Sequence, residues 1–158
     1  MPDSIQIEQT PLKLNGMALY RKFGFRILVA GLYWGHPESD PKVILGSDSP
    51  RKYVSHFLHN VSAKRIVDAW KRGLEENTPD ASKTVRAQFQ TLYGWLRDFH
   101  PGDEIVVTYL PVSGCKVEIS GTEMGVIPGK EFADAYFAFA LGPRPNLGEK
   151  FQKKLLGL

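Results

Sequence analysis

Among its 158 residues the chain has a single cysteine, Cys115. That excludes an intrachain disulfide framework and any multi-cysteine metal site. No apolar run approaches the roughly 20 residues that a membrane-spanning helix needs, so no integral membrane segment is expected. Runs of five or more like charges are also missing, and 20 basic against 17 acidic residues leave a net charge of only +3. So small and dispersed an excess argues against nucleic acid as a partner. The opening MPDSIQIEQT has neither the basic nor the apolar region of an export signal. The expected location is cytoplasmic, or periplasmic if an export signal has been trimmed away.

Motifs that carry chemistry are equally scarce. Neither G-x-G-x-x-G nor G-x-x-x-x-G-K-[ST] occurs, so nucleotide-phosphate binding is unsupported and no cofactor is expected. The nearest approach to a nucleophile elbow, Gly46-Ser47-Asp48-Ser49, lacks the second glycine. Adjacent carboxylates at Glu75-Glu76 and Asp103-Glu104 diverge on a helix or a strand and cannot act as a pair. His56 and His59 fall in a segment read as a strand, where odd spacing sends them to opposite faces, so no metal is expected. Cys115 has no local signature of a catalytic thiol and reads as a small, semi-buried residue.

What is present is a soluble globular composition, 42% hydrophobic and 23% charged. The length suggests one domain over residues 1–158, with residues 1–11 as a loosely attached N-terminal strand. The stretch from Leu14 to Trp34 reads as a hairpin with Tyr20, Arg21 and Lys22 at its tip. Its second arm is apolar on both faces, as a central strand would be. Arg26 shares a face of that arm with Leu28, Ala30 and Leu32. A half-buried guanidinium there needs an anion, which could be Glu118, Glu123 or a ligand carboxylate.

Pro41–Gly46 is open between a helical turn and a strand. A strand follows over Lys52–Asn60, then Ser62 caps a helix carrying Ile66, Ala69, Trp70, Gly73 and Leu74 on one stripe. Asp80 or Ser82 caps a second helix with Val85, Phe89, Leu92 and Leu96. From Ile105 the period becomes two, giving a three-stranded meander up to Ile127. A helix with Phe132, Ala133, Tyr136, Phe137 and Ala140 comes next. Phe137 and Phe139 point apart on it, so part of this helix can line something other than the core. Asn146 is read as the cap of a last short helix. The order predicts an α+β fold, an antiparallel sheet with helices on one face.

Four segments, LNGMALYRKFGFRILVAGLYW, FLHNVSAKRIVDAWKRGL, PGDEIVVTYLPVSGCKVEISGTEMGVIPGKEFADAYFAFALG and the final KKLLG, together resemble the chalcone isomerase-like family, specifically its bacterial branch. The resemblance runs from about Leu14 onward. It implies an open-faced β-sandwich, a long antiparallel sheet with helices packed on one face. Plant members close a flavanone ring, and plastid relatives bind fatty acids through an arginine and a tyrosine. To the bacterial branch the resemblance attaches no reaction.

The isomerase pattern is not retained here. Tyr20 stands where the family has its arginine, with Arg21 one residue later. Ile66, Gly73 and Phe139 stand where the family has a tyrosine, an asparagine and a polar residue. No catalytic residue is therefore assigned. The resemblance implies a non-catalytic protein that binds a small amphipathic or acidic ligand such as a fatty acid. The expected cleft lies between the hairpin and the helices at Trp70 and Tyr136, with Tyr20 and Arg21 or Arg26 as the acid anchor. An isomerase or lyase acting on a phenolic substrate is the alternative, and a ligand-free interaction module is another.

Overall fold

The computed structural model describes residues 1–158. One antiparallel sheet contains β1 (Ser4–Ile7), β2 (Thr10–Lys22), β3 (Phe25–Trp34), β4 (Arg51–Phe57), β5 (Glu104–Leu110), β6 (Gly114–Ile119) and β7 (Thr122–Ile127). The strands lie side by side in chain order, so β3 is interior and β1 and β7 are the edges. Five helices complete the α+β fold: α1 (Pro41–Gly46), α2 (Ala63–Asn77), α3 (Lys83–Trp95), α4 (Lys130–Leu141) and α5 (Glu149–Leu155). The ambiguous Pro41–Gly46 is thus helical, with Pro41 in its first turn and Asp40 accepting from the Lys42 N–H. None of the helices is long and apolar enough to cross a membrane.

Strand alternation decides what each face meets. Ala30, Leu32 and Trp34 of β3 join Phe57, Ile105, Val107 and the helices in one core of 30 residues. Tyr33 of β3 faces the other way, into a small cluster with Leu12 and Val54 that contains no helical residue. The arm is therefore covered on both faces over its second half, Ala30–Trp34, half-buried over Ile27–Val29 and exposed only at Phe25 and Arg26. The helix caps follow the sequence: Ser62 accepts from the Arg65 N–H and Ser82 from the Val85 N–H. Asn146 is a correction, because Gly148 occupies the cap position of α5 and the Asn146 side chain donates to the Ala69 carbonyl instead.

Two bulges shape the β2–β3 ladder. At the first, Asn15 is the extra residue between the Leu14–Tyr33 and Gly16–Leu32 pairs. Its carboxamide donates to the Leu155 carbonyl at 2.9 Å, and Gly16 lets the end of α5 lie directly on the strand. A Cβ at Gly16 would collide with the Lys154 and Leu155 carbonyl oxygens. At the second, Ile27 is the extra residue between the Tyr20–Leu28 and Arg21–Arg26 pairs. The turn beyond is only Phe23-Gly24, both at positive φ, 52° and 80°. A two-residue hairpin needs that conformation, yet a bulky residue in it costs about 1–2 kcal/mol relative to glycine.

Candidate functional site

On β4 the side chains of Tyr53, Ser55 and Phe57 point toward the helices while Val54 points to the opposite cluster. Above them stand Ile66, Ala69 and Trp70 of α2 and Tyr136, Phe137 and Phe139 of α4. These layers do not close on each other. They leave a cavity of about 490 Å³ whose wall has 26 residues, 18 of them hydrophobic. Its volume lies within the ~300–1,000 Å³ of small-molecule sites. The roof is a set of packed rings: Trp70 meets Tyr136 at 5.4 Å and Phe139 at 5.9 Å between centroids. Phe137 and Phe139, expected to point apart, both reach this wall while remaining part of the main core.

The hairpin tip forms the mouth. Because Ile27 is an extra residue, alternation in β3 reverses there. Phe25 turns inward beside Tyr20 and Lys22, and Arg26 moves to the outer face opposite Arg21. Arg26 is therefore exposed, not half-buried, and forms no ion pair; Glu118 pairs with Lys116 at 3.7 Å and Glu123 is exposed. Of the five ligand-contacting residues expected, Tyr20, Trp70 and Tyr136 line the cavity, while Arg21 and Arg26 do not. The cations that do line it are Lys22, Arg65 and Arg72, all exposed at the rim. His59 is there too, its ring 5.1 Å from that of Phe25. His56 sits apart, paired with Glu104 at 3.1 Å. Since β4 ends at Phe57, the strand argument that separated the two histidines does not reach His59.

Inside, the polar groups are the phenols of Tyr53 and Tyr136, the Ser55 hydroxyl and the Asn146 carboxamide. Tyr136 is only 4% exposed, and Tyr53 is half-buried where it lines the cavity. The hydroxyls of Tyr33 and Tyr109 find protein acceptors, the Pro2 carbonyl at 2.7 Å and Asp48 Oδ1 at 2.5 Å. Those of Tyr20, Tyr53 and Tyr136 find none, and they border the cavity. Burial pushes the Tyr53 and Tyr136 phenols far above their ordinary range, so both remain protonated donors.

One charged group escaped the sequence reading. Arg51, at the first position of β4, is fully buried behind Phe137. Its guanidinium lies 4.8 Å from the Phe137 ring and 5.2 Å from the Tyr109 ring. It donates to the Ile44 carbonyl at 2.7 Å and to Asp134 at 2.5 Å. Lys130 shares Asp134 at 2.6 Å and also reaches the Leu45 carbonyl. Two cations thereby satisfy the last carbonyls of α1 and fix the back wall of the cavity. Extending the inward series Phe57, Ser55, Tyr53 one step back reaches Arg51, and that was the available signal. Cys115 is buried near this pair, and burial pushes its thiol up to about 12, which suits packing rather than catalysis.

On α2, Ile66 lines the cavity and Gly73 is covered by the Asn146 carboxamide, which also lines it. An amide thus reaches the cavity from the loop after α4 rather than from the helix. No three His, Cys, Asp or Glu side chains converge anywhere in the structure.

Comparison with known proteins agrees with this architecture. A solved fatty-acid binding protein of Arabidopsis thaliana superposes with a TM-score of 0.71 at 13% identity, over 99% of this chain and 90% of that one. No curated protein matches by sequence. A sequence profile described as chalcone isomerase-like matches residues 1–157. The chain belongs to the chalcone isomerase-like family.

Proposed function

We propose that this protein binds, without transforming, a single amphipathic acid of the fatty-acid type. The observation that carries the reading is the distribution of charge around the cavity. Its wall is mostly apolar, and its only lysine and arginines, Lys22, Arg65 and Arg72, are at the rim. An ionised carboxylate buried without a cation is costly, so the acid group stays at the mouth while the chain enters. Tyr20 and Lys22 form the anchor with Arg65, replacing the Arg21 or Arg26 expected from the family resemblance. That the structural relative is a fatty-acid binding protein is in keeping with this class of ligand.

Deeper in, Tyr53 and Tyr136 donate to a neutral oxygen on the ligand, such as a hydroxyl or a carbonyl. Ring closure of a phenolic substrate would require donors or charge placed at a developing anion. Ile66 and Phe139 present only hydrocarbon on that wall, which favours binding over catalysis.

Extraction of the purified protein followed by mass spectrometry, and titration with fatty acids of graded length, tests the reading. Bound acid and saturable uptake are expected, and their absence would refute it. Replacing Lys22 and Arg65 together by alanine should weaken uptake by about tenfold or more, since hydrogen bonds to charged groups contribute about 1.5–3 kcal/mol. An unchanged titration would remove the rim anchor.

A further inference from the structure

The hairpin tip carries more exposed apolar surface than a solvated turn requires. Phe23 is 87% exposed and Phe25 57% exposed. Phe23 occupies a positive-φ position that favours glycine or asparagine, so local backbone preference does not account for an aromatic there. Apolar exposure continues along the outer face of β2 through Met17 and Leu19.

The same tip is cationic. Between Glu8 and Glu38 the sequence has no acidic residue, while Arg21, Lys22 and Arg26 cluster at the turn. None of these three, nor Arg65 across the mouth, forms an ion pair in the structure. Arg21 and Arg26 are directly opposed across the ladder, an arrangement that repels unless an external anion lies over it. Lys22 places its ammonium 5.5 Å from the Phe23 ring, so charge and ring share one apex.

We infer that this tip docks on an anionic lipid bilayer, with Phe23 and Phe25 entering the interface and Arg21, Lys22 and Arg26 facing the headgroups. Exposed aromatic side chains beside unpaired cations are the chemistry that recognises such a surface. Phe23 and Phe25 also line the cavity mouth, so a docked tip would hold that mouth against the bilayer. The purpose of the docking, exchange of the bound acid with a membrane, rests on the ligand-binding reading above; the docking itself does not.

The test is co-sedimentation with vesicles of phosphatidylcholine alone and of an equal mixture with phosphatidylglycerol, at low and high salt. Salt-sensitive binding to the mixed vesicles only is expected. Arg21→Gln with Arg26→Gln, two residues outside the cavity wall, should weaken it by about 25-fold, at about fivefold per cation. That double variant should still take up fatty acid in solution. Phe23→Ser should weaken vesicle binding by about tenfold or more through lost apolar burial. Wild-type protein that ignores both vesicles, or variants that sediment like wild type, would overturn the docking. Vesicle binding without fatty-acid uptake would support the docking and count against the cavity reading alone.

Discussion

Asn146 fills with its carboxamide the space that a side chain on Gly73 would need. The contact joins the loop after α4 to the middle of α2, beside the cavity. Gly73→Ala should displace Asn146 and cost about 1–3 kcal/mol through overpacking. In an Asn146→Ala background the same change should instead stabilise by about 1 kcal/mol, since alanine is the better helix former. Urea denaturation of the four proteins measures both. A cost from Gly73→Ala that persists without Asn146 would show the contact to be unimportant.

Arg51 and Asp134 should respond unequally to loss of their partner. Asp134→Ala strands a fully buried guanidinium and removes the partner of Lys130 as well, and should cost about 3–5 kcal/mol. Arg51→Met leaves Asp134 partly exposed and still paired with Lys130, so the cost should be smaller, about 2–3 kcal/mol. Chemical denaturation ranks the two, and the reverse order would contradict this account of the back wall.

Tyr53 and Tyr136 make a prediction about ligand choice. If their hydroxyls donate to the ligand, a hydroxy or oxo fatty acid should bind about tenfold more tightly than the plain acid of equal length. Tyr53→Phe with Tyr136→Phe should abolish that preference while leaving plain-acid affinity close to wild type. Calorimetry with the paired acids reads both; equal affinities in the wild type would exclude the donor role.

Asp103 gives a pH signature remote from the cavity. The His100 N–H, the Ser120 hydroxyl and Arg97 hold its carboxyl at about 2, below its ordinary 3.8. Protons therefore bind the unfolded chain more readily at this position. The stability it contributes is complete above about pH 4 and is lost as pH falls toward 2. Thermal melts of wild type and Asp103→Asn should differ most above pH 4 and converge near pH 2. A gap that stays constant through this range would reject the assignment.

Much of the fold was legible because its signals are local. Ser62 and Ser82 announce their helices, and the change of period at Ile105 announces the meander. The site was less legible, and Arg26 shows why. Alternation carries a strand's facing only while the ladder is regular, and one extra residue at Ile27 inverted it. Nothing in the run Phe25–Leu28 marks which residue will be unpaired, because the bulge depends on pairing with Tyr20 and Arg21. Arg51 was hidden differently. It follows Ser-Asp-Ser-Pro, a turn-like stretch, while the acid that justifies its burial lies 83 positions later. Asn146 was misread because an asparagine near a short helix usually caps it, and the competing partner on α2 is distant in sequence.

The bulge at Asn15 bears on how the molecule comes into being. Each strand pairs with its sequence neighbour, so the sheet can assemble strand by strand as the chain emerges. The bond from Asn15 to Leu155 spans 140 positions and cannot form until the last helix exists. Phe151 of that helix also lines the cavity and meets the Tyr20 ring at 6.3 Å. The binding chamber is therefore expected to be the last part of the protein to mature, and a nascent chain halted before α5 would have a sheet but no vessel.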